Sequence, residues 1–175
     1  MKKKAVILLV AVVVLGLIST ILLIIMKPGK MEIAVGKPTP AFSLRNGDGN
    51  IVSSEQFKGK VMVLHFWATW CPPCIAEVPS MAKFYQRYAS NDKVKFFFVL
   101  FQDSRANAYD FFRSAGVTLP LSFDQNNKTA HSFGVTGVPE TYVINRDGIL
   151  EQRIIGSAEW ETPDAEDFFN RLLSF

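Results

Sequence analysis

One stretch of this chain restricts its folding more than any other: Val61-Met-Val-Leu-His-Phe-Trp67, then Cys71-Pro-Pro-Cys74, then an amphipathic run. Apolar, β-branched and aromatic residues fill Val61 to Trp67 almost without interruption, the pattern of a strand covered on both faces. Ile75, Val78, Met81, Ala82, Tyr85 and Tyr88 follow at spacings of three and four, giving one apolar stripe on a helix. Val94 to Phe101 is a second continuous apolar run. Two buried strands joined by a helix make a β-α-β unit, which predicts parallel strands and a right-handed crossover.

The flanking segments extend the sheet. Phe42 to Leu44 and Ile51-Val52 surround Asn46-Gly-Asp-Gly-Asn50, which predicts an N-terminal hairpin. Ser104 caps a predicted helix through Ala115 that Gly116 ends, and Leu121 to Phe123 reads as a short strand. Asn127 to Phe133 predicts a small helix. Thr141 to Ile144 and Ile149 to Ile155 flank the turn Asn145-Arg-Asp-Gly148, a second hairpin signal. Thr162-Pro-Asp164 opens a last helix with Ala165, Phe168, Phe169, Leu172 and Leu173 on one side. The fold class this predicts is α/β, a central mixed sheet with helices on both faces.

The chain has two cysteines, Cys71 and Cys74, where the buried strand passes into the helix. Unpaired N–H groups and the dipole at a helix N-terminus favour a negative sulfur, so Cys71 is the predicted nucleophile. Cys74, one turn in and facing the core, is then the resolving thiol that attacks the mixed disulfide. Pro72 and Pro73 suit a first helical turn, where a missing N–H costs nothing, and they stiffen the loop. Trp70, just before the exposed thiol, is expected to border a substrate surface, whereas Trp67 belongs in the core. Two plainer readings stay open: an inert disulfide, and part of a zinc site that His65 and His131 would have to complete.

Glu77 follows Cys74 by three residues and shares its helical face, where a partly buried carboxyl can trade protons with that thiol. His65 shares strand parity with Val63 and Trp67 and should lie buried beneath the cysteines, as a satisfied core histidine or a proton carrier. His131 should face solvent. Pro139, in Gly137-Val-Pro-Glu-Thr141, precedes a predicted strand and by itself marks only a strand start or turn.

Residues Ala5 to Met26 carry no charge and are long enough, at about 1.5 Å per residue, to cross a bilayer core. They predict a transmembrane signal-anchor, with a cytoplasmic basic tail over 1–4, a linker over 27–35 and one folded domain over 36–175. Lys2, Lys3 and Lys4, against Lys27 and Lys30, orient the domain to the extracytoplasmic side, where disulfides persist. Of the 19 Lys and Arg, those three precede the anchor, leaving 16 to balance the 16 Asp and Glu. The domain is therefore about neutral, which sets aside a nucleic-acid surface.

The segments Gly36-Lys-Pro-Thr-Pro-Ala-Phe-Ser-Leu44, Phe66-Trp-Ala-Thr-Trp-Cys-Pro-Pro-Cys74, Phe133-Gly-Val-Thr-Gly-Val-Pro-Glu-Thr-Tyr142 and Asn145-Arg-Asp-Gly148 span nearly the whole domain. Together they resemble the thioredoxin superfamily, specifically the membrane-anchored TlpA- and ResA-like reductases that include cytochrome c maturation proteins. The resemblance implies a thioredoxin-like fold and a thiol-disulfide oxidoreductase whose one redox group is the Cys71–Cys74 disulfide, with no separate cofactor or metal. It implies a cis bond before Pro139, so that the backbone of Val138 stands beside Cys71 and pairs with an extended substrate. Pro79 matches a proline that kinks the active-site helix, and Glu77 matches an acidic residue near the cysteines. His65 departs from the pattern, which has aspartate or asparagine there. The implied partners are disulfide-containing extracytoplasmic proteins, apocytochrome c among them, and a membrane thiol-electron transporter. A thiol peroxidase and an SCO-like copper chaperone are the competing readings. The first lacks its usual Pro-x-x-x-Thr-x-x-Cys arrangement, and the second uses Cys-x-x-x-Cys with a distal histidine.

Overall fold

A computed structural model of the chain describes residues 2–25 and 33–174. The chain divides into two units, Met1–Lys30 and Met31–Phe175. The first holds helix α1 (Lys2–Ile25). Among the described residues no helix is long and apolar enough to cross a membrane. Within α1 the side chains at 2, 5, 6, 11 and 23–25 lie outside the described residues, as does most of the linker expected over 27–35.

The second unit is built on seven strands: β1 (Ser43–Asn46), β2 (Ile51–Ser53), β3 (Val61–Trp67), β4 (Val94–Leu100), β5 (Leu121–Phe123), β6 (Glu140–Ile144) and β7 (Leu150–Ile155). Their order across one sheet is β2-β1-β5-β4-β3-β6-β7. β3 runs parallel to β4 from Val61 opposite Val94 to Trp67 opposite Leu100, and antiparallel to β6. β1 pairs antiparallel with both β2 and β5. The central strand β3 is buried at every position, as a strand with helices or loops on both faces must be.

Helices α2 (Pro72–Tyr88), α3 (Arg105–Ala115), α4 (Lys128–Phe133) and α5 (Pro163–Leu173) cover the sheet. The N-cap side chain sets the start of α2, α3 and α5. Ser104 Oγ accepts the N–H of Asn107 to open α3, and Thr162 Oγ1 accepts that of Ala165 to open α5 behind Pro163. Gly116, at φ 66°, closes α3 in the left-handed conformation that costs glycine least. Pro79 lies inside α2, where it removes one backbone donor.

Two cores follow from strand alternation. Val61, Val63 and Trp67 of β3 pack with α2, α3 and α5 on one face; Met62, Leu64 and Phe66 pack with α4, Phe42 and Leu44 on the other. Phe84 of α2, fully buried, is the hub of the first core, its ring meeting those of Tyr88, Phe96, Trp160 and Phe169. α2 is thereby held against β4, α5 and the segment before α5. The C-terminal end of β3, in the middle of the sheet, is where the cysteines emerge, the edge at which open α/β sheets place their sites.

Candidate active site

Cys71 and Cys74 form a disulfide, with Cα atoms 5.3 Å apart. Cys71 is the N-cap of α2, and the Cys74 N–H donates to Cys71 Sγ at 3.3 Å. A helix N-terminal donor aimed at this sulfur favours its thiolate once the bond is reduced. Pro72 and Pro73 occupy the first helical positions, both exposed. Cys74 is fully buried.

The Val138–Pro139 peptide bond is cis. It brings the Val138 carbonyl oxygen to 3.4 Å from Cys71 Sγ. Pro139 is buried, and its carbonyl accepts the Gly156 N–H at 2.9 Å, so the turn is pinned to the end of β7. This turn changes one expectation: position alone places Cys71 as an exposed thiol, yet it is 3% exposed. The cover comes from Val138, 67 residues downstream, and local sequence carries no sign of it. Around the sulfur, Trp70 is 55% exposed and Val138 half-buried, so an apolar rim frames a narrow approach.

The residues before the cysteines are tied down from β4's far end. Asp103 Oδ2 accepts both the N–H and the Oγ1–H of Thr69, while Oδ1 accepts from the Ser104 N–H and the Asn107 side chain. Burial alone would raise this carboxyl's pKa, but the four donors outweigh it and hold it below its ordinary value. The Trp70 indole N–H donates to the Gln102 carbonyl at 3.1 Å. Gln102 sits at φ 49°, a conformation uncommon outside glycine, and so turns its carbonyl toward the tryptophan.

Glu77 is 4% exposed. Its Oε1 accepts the Ala158 N–H and the Trp160 indole N–H, and its Oε2 has no partner among the described residues. Burial pushes its pKa up; the two donors pull part of the way back, and the charge of Glu159 adds to the rise. The net direction is upward. His65 is also buried, with Nδ1 at 2.8 Å from Thr141 Oγ1, its neighbour in the β3–β6 register. Burial lowers its pKa to about 3, which keeps the ring neutral at physiological pH. His131 is exposed on α4. Among the described residues no three of His, Cys, Asp or Glu gather in a way that could hold a metal ion.

Beyond Pro139, Glu140 is buried and accepts from Arg153 Nε at 2.6 Å and from Tyr142 Oη at 2.7 Å. This charge-assisted pair fixes the strand that carries the cis turn. The structure thus brings Trp70, Cys71, Pro72, Pro73, Cys74, Glu77, Val138 and Pro139 to one end of the sheet. Sequence reasoning missed Asp103, Ala158 and Trp160. Asp103 carries a faint signal, a carboxylate just ahead of an N-cap serine. Ala158 and Trp160 carry none.

The redoxin family model matches residues 34–169. The chain is 32% identical to the thiol-disulfide oxidoreductase ResA of Bacillus subtilis (strain 168) over 129 residues, 74% of this chain and 72% of that protein. Among solved structures it is similar to a thioredoxin-family thiol:disulfide interchange protein of Chlorobium tepidum TLS (TM-score 0.63, 27% identity, 81% of this chain and 96% of that one). It is also similar to StoA of Bacillus subtilis (TM-score 0.60, 27% identity, 76% of this chain and 96% of that one).

Proposed function

The chain belongs to the redoxin family, as a TlpA- and ResA-like thiol-disulfide oxidoreductase of the thioredoxin superfamily, and from that footing we propose that it reduces disulfides in partner proteins outside the cytoplasmic membrane. The observation that carries the reading is the setting of Cys71: capping a helix, receiving the Cys74 N–H, and facing the Val138 carbonyl on the cis turn.

In the reduced enzyme the Cys71 thiolate attacks one sulfur of a partner disulfide, forming a mixed disulfide and releasing the other partner sulfur as a thiolate. An extended partner segment lies along Val138, pairing with its backbone, while Trp70, Pro72, Pro73 and Val138 form the apolar rim it crosses. Glu77 takes the proton from Cys74, whose thiolate attacks Cys71 Sγ. The Cys71–Cys74 bond closes, and the partner leaves with its second thiol restored. Two electrons and two protons have passed to the partner, and the oxidised enzyme requires a dithiol donor, here a membrane thiol-electron transporter.

The location is part of the proposal. Among the described side chains of α1 beyond its first turn, Leu8, Leu9, Leu15, Leu17, Ile18 and Leu22 are each more than half exposed, as suits a lipid-facing helix better than a core one. Lys2, Lys3 and Lys4 at its start favour an N-terminus left in the cytoplasm. Apocytochrome c, whose cysteines must be reduced before they can take haem, is the partner class this location recommends.

The test is to replace Cys74 with alanine in the native cell and identify what becomes disulfide-linked to the chain. Extracytoplasmic proteins held through Cys71, apocytochrome c among them, are the expected capture. The same capture after Cys71 is also replaced, or capture restricted to cytoplasmic proteins, would contradict the proposal.

A further inference from the structure

Between β7 and α5, residues 156–160 touch both halves of the site. At one end the Gly156 N–H holds the Pro139 carbonyl at 2.9 Å. Further on, the Ala158 N–H reaches Glu77 Oε1 at 3.2 Å and the Trp160 indole N–H reaches the same oxygen at 2.5 Å. Trp160 is 2% exposed, its ring 5.4 Å from that of Phe84, so the indole cannot turn away without breaking the core.

Both donors converge on one carboxyl oxygen, and the other has no partner among the described residues. An oxygen that already accepts two N–H groups is a poor place for a proton, so a proton that Glu77 takes up goes to Oε2. Glu77 stands one helical turn beyond Cys74 on the same face of α2. The charge that acts on it is that of Glu159, on the same segment as its two donors.

We propose that Trp160 is a positioning residue of the exchange reaction: its indole N–H, together with the Ala158 N–H, clamps Glu77 Oε1 so that Oε2 is the atom that exchanges the Cys74 proton. This rests on the reading of Glu77 as the proton partner of Cys74. In this role Trp160 acts through the carboxyl, the group its N–H meets.

The test uses Trp160→Phe, which deletes the N–H and keeps an aromatic ring on Phe84, alongside Glu77→Gln and the double variant in the full chain. Two quantities are read: the Glu77 titration, by isotope-edited infrared spectroscopy of the carboxyl, and the rate at which Cys74 resolves a preformed mixed disulfide on Cys71, as a function of pH. The Trp160 donor stabilises the carboxylate, so its loss moves the titration to higher pH, by about 1 unit for one charge-assisted hydrogen bond. Resolution at neutral pH slows by about fivefold to tenfold in step with that shift, while alkylation of reduced Cys71 keeps its wild-type rate. In the Glu77→Gln background the Trp160→Phe change should add nothing further. If Glu77→Gln resolves at the wild-type rate across the pH range, the reading of Glu77 fails and this inference with it. If Glu77→Gln is slow but Trp160→Phe moves neither the titration nor the rate, or slows both backgrounds equally, the role of Trp160 alone is overturned. The infrared titration needs only folded protein and stays decisive if turnover is lost.

Discussion

Replacing Cys71 with serine is expected to abolish disulfide exchange, with kcat/KM on a disulfide-bonded test protein falling on the order of 10⁴-fold or more. The reason is acidity. A thiol at a helix N-terminus is substantially ionised near neutral pH, whereas a serine hydroxyl in the same place is not, and only the anion attacks sulfur. The fold should survive, because serine is itself a favoured N-cap and can accept the Cys74 N–H that Cys71 Sγ accepts now. Little stability is lost with the disulfide, since a bond closing so short a loop constrains the unfolded chain least. Thermal melts of the variant and of the reduced wild type should therefore agree closely while activity separates them completely. Residual exchange within tenfold of wild type would mean that Cys74 can initiate attack, and the two cysteines would have to trade roles.

The largest effect on stability is expected at Phe84. Its fully buried ring lies 4.7 Å from Phe169, 5.0 Å from Tyr88, 5.4 Å from Trp160 and 6.2 Å from Phe96. Phe84→Ala removes the centre of that cluster and leaves a cavity walled by aromatic rings from several elements, which can collapse only partly. The expected cost is about 3–5 kcal/mol, a drop in Tm of roughly 8–15 °C for a domain of this size. α2 carries Cys74 and Glu77, and Trp160 rests on Phe84, so slower resolution by Cys74 should accompany the loss. Equilibrium denaturation with an unchanged m-value checks the stability figure. A cost below about 1 kcal/mol would show that this face of the sheet repacks freely and that the indole of Trp160 is not held by the core.

What could be read from the sequence, and what could not, divides by distance along the chain. The β-α-β unit was legible because its signals are periodic and local: a seven-residue apolar strand, a stripe at spacings of three and four, and a second apolar strand. The burial of His65 followed from strand parity, but its bond to Thr141 depends on β3 and β6 being neighbours, which a motif cannot state. Glu77 could be placed on the face of Cys74 by counting residues. Its donors could not, because Ala158 and Trp160 lie more than 80 residues downstream in a segment without periodicity. The same holds for Cys71, whose position at a strand end reads as exposed until the Val138 turn is laid over it. Asp103 shows the intermediate case. Beside Ser104 it reads as part of a helix start, and only the sheet brings it to Thr69. Residue types and helical spacing announced the chemistry; the clamps that aim it are tertiary.

Everything proposed for the site depends on Cys71, and not Cys74, making the bond to the partner. The most direct measurement gives the reduced Cys74→Ser and Cys71→Ser variants the same disulfide-bonded peptide, quenches with acid, and locates the linkage by peptide mapping. Rapid accumulation of peptide linked to Cys71 is expected in Cys74→Ser, with no comparable adduct on the fully buried Cys74 in Cys71→Ser. Adducts forming on Cys74 at an equal rate would contradict it.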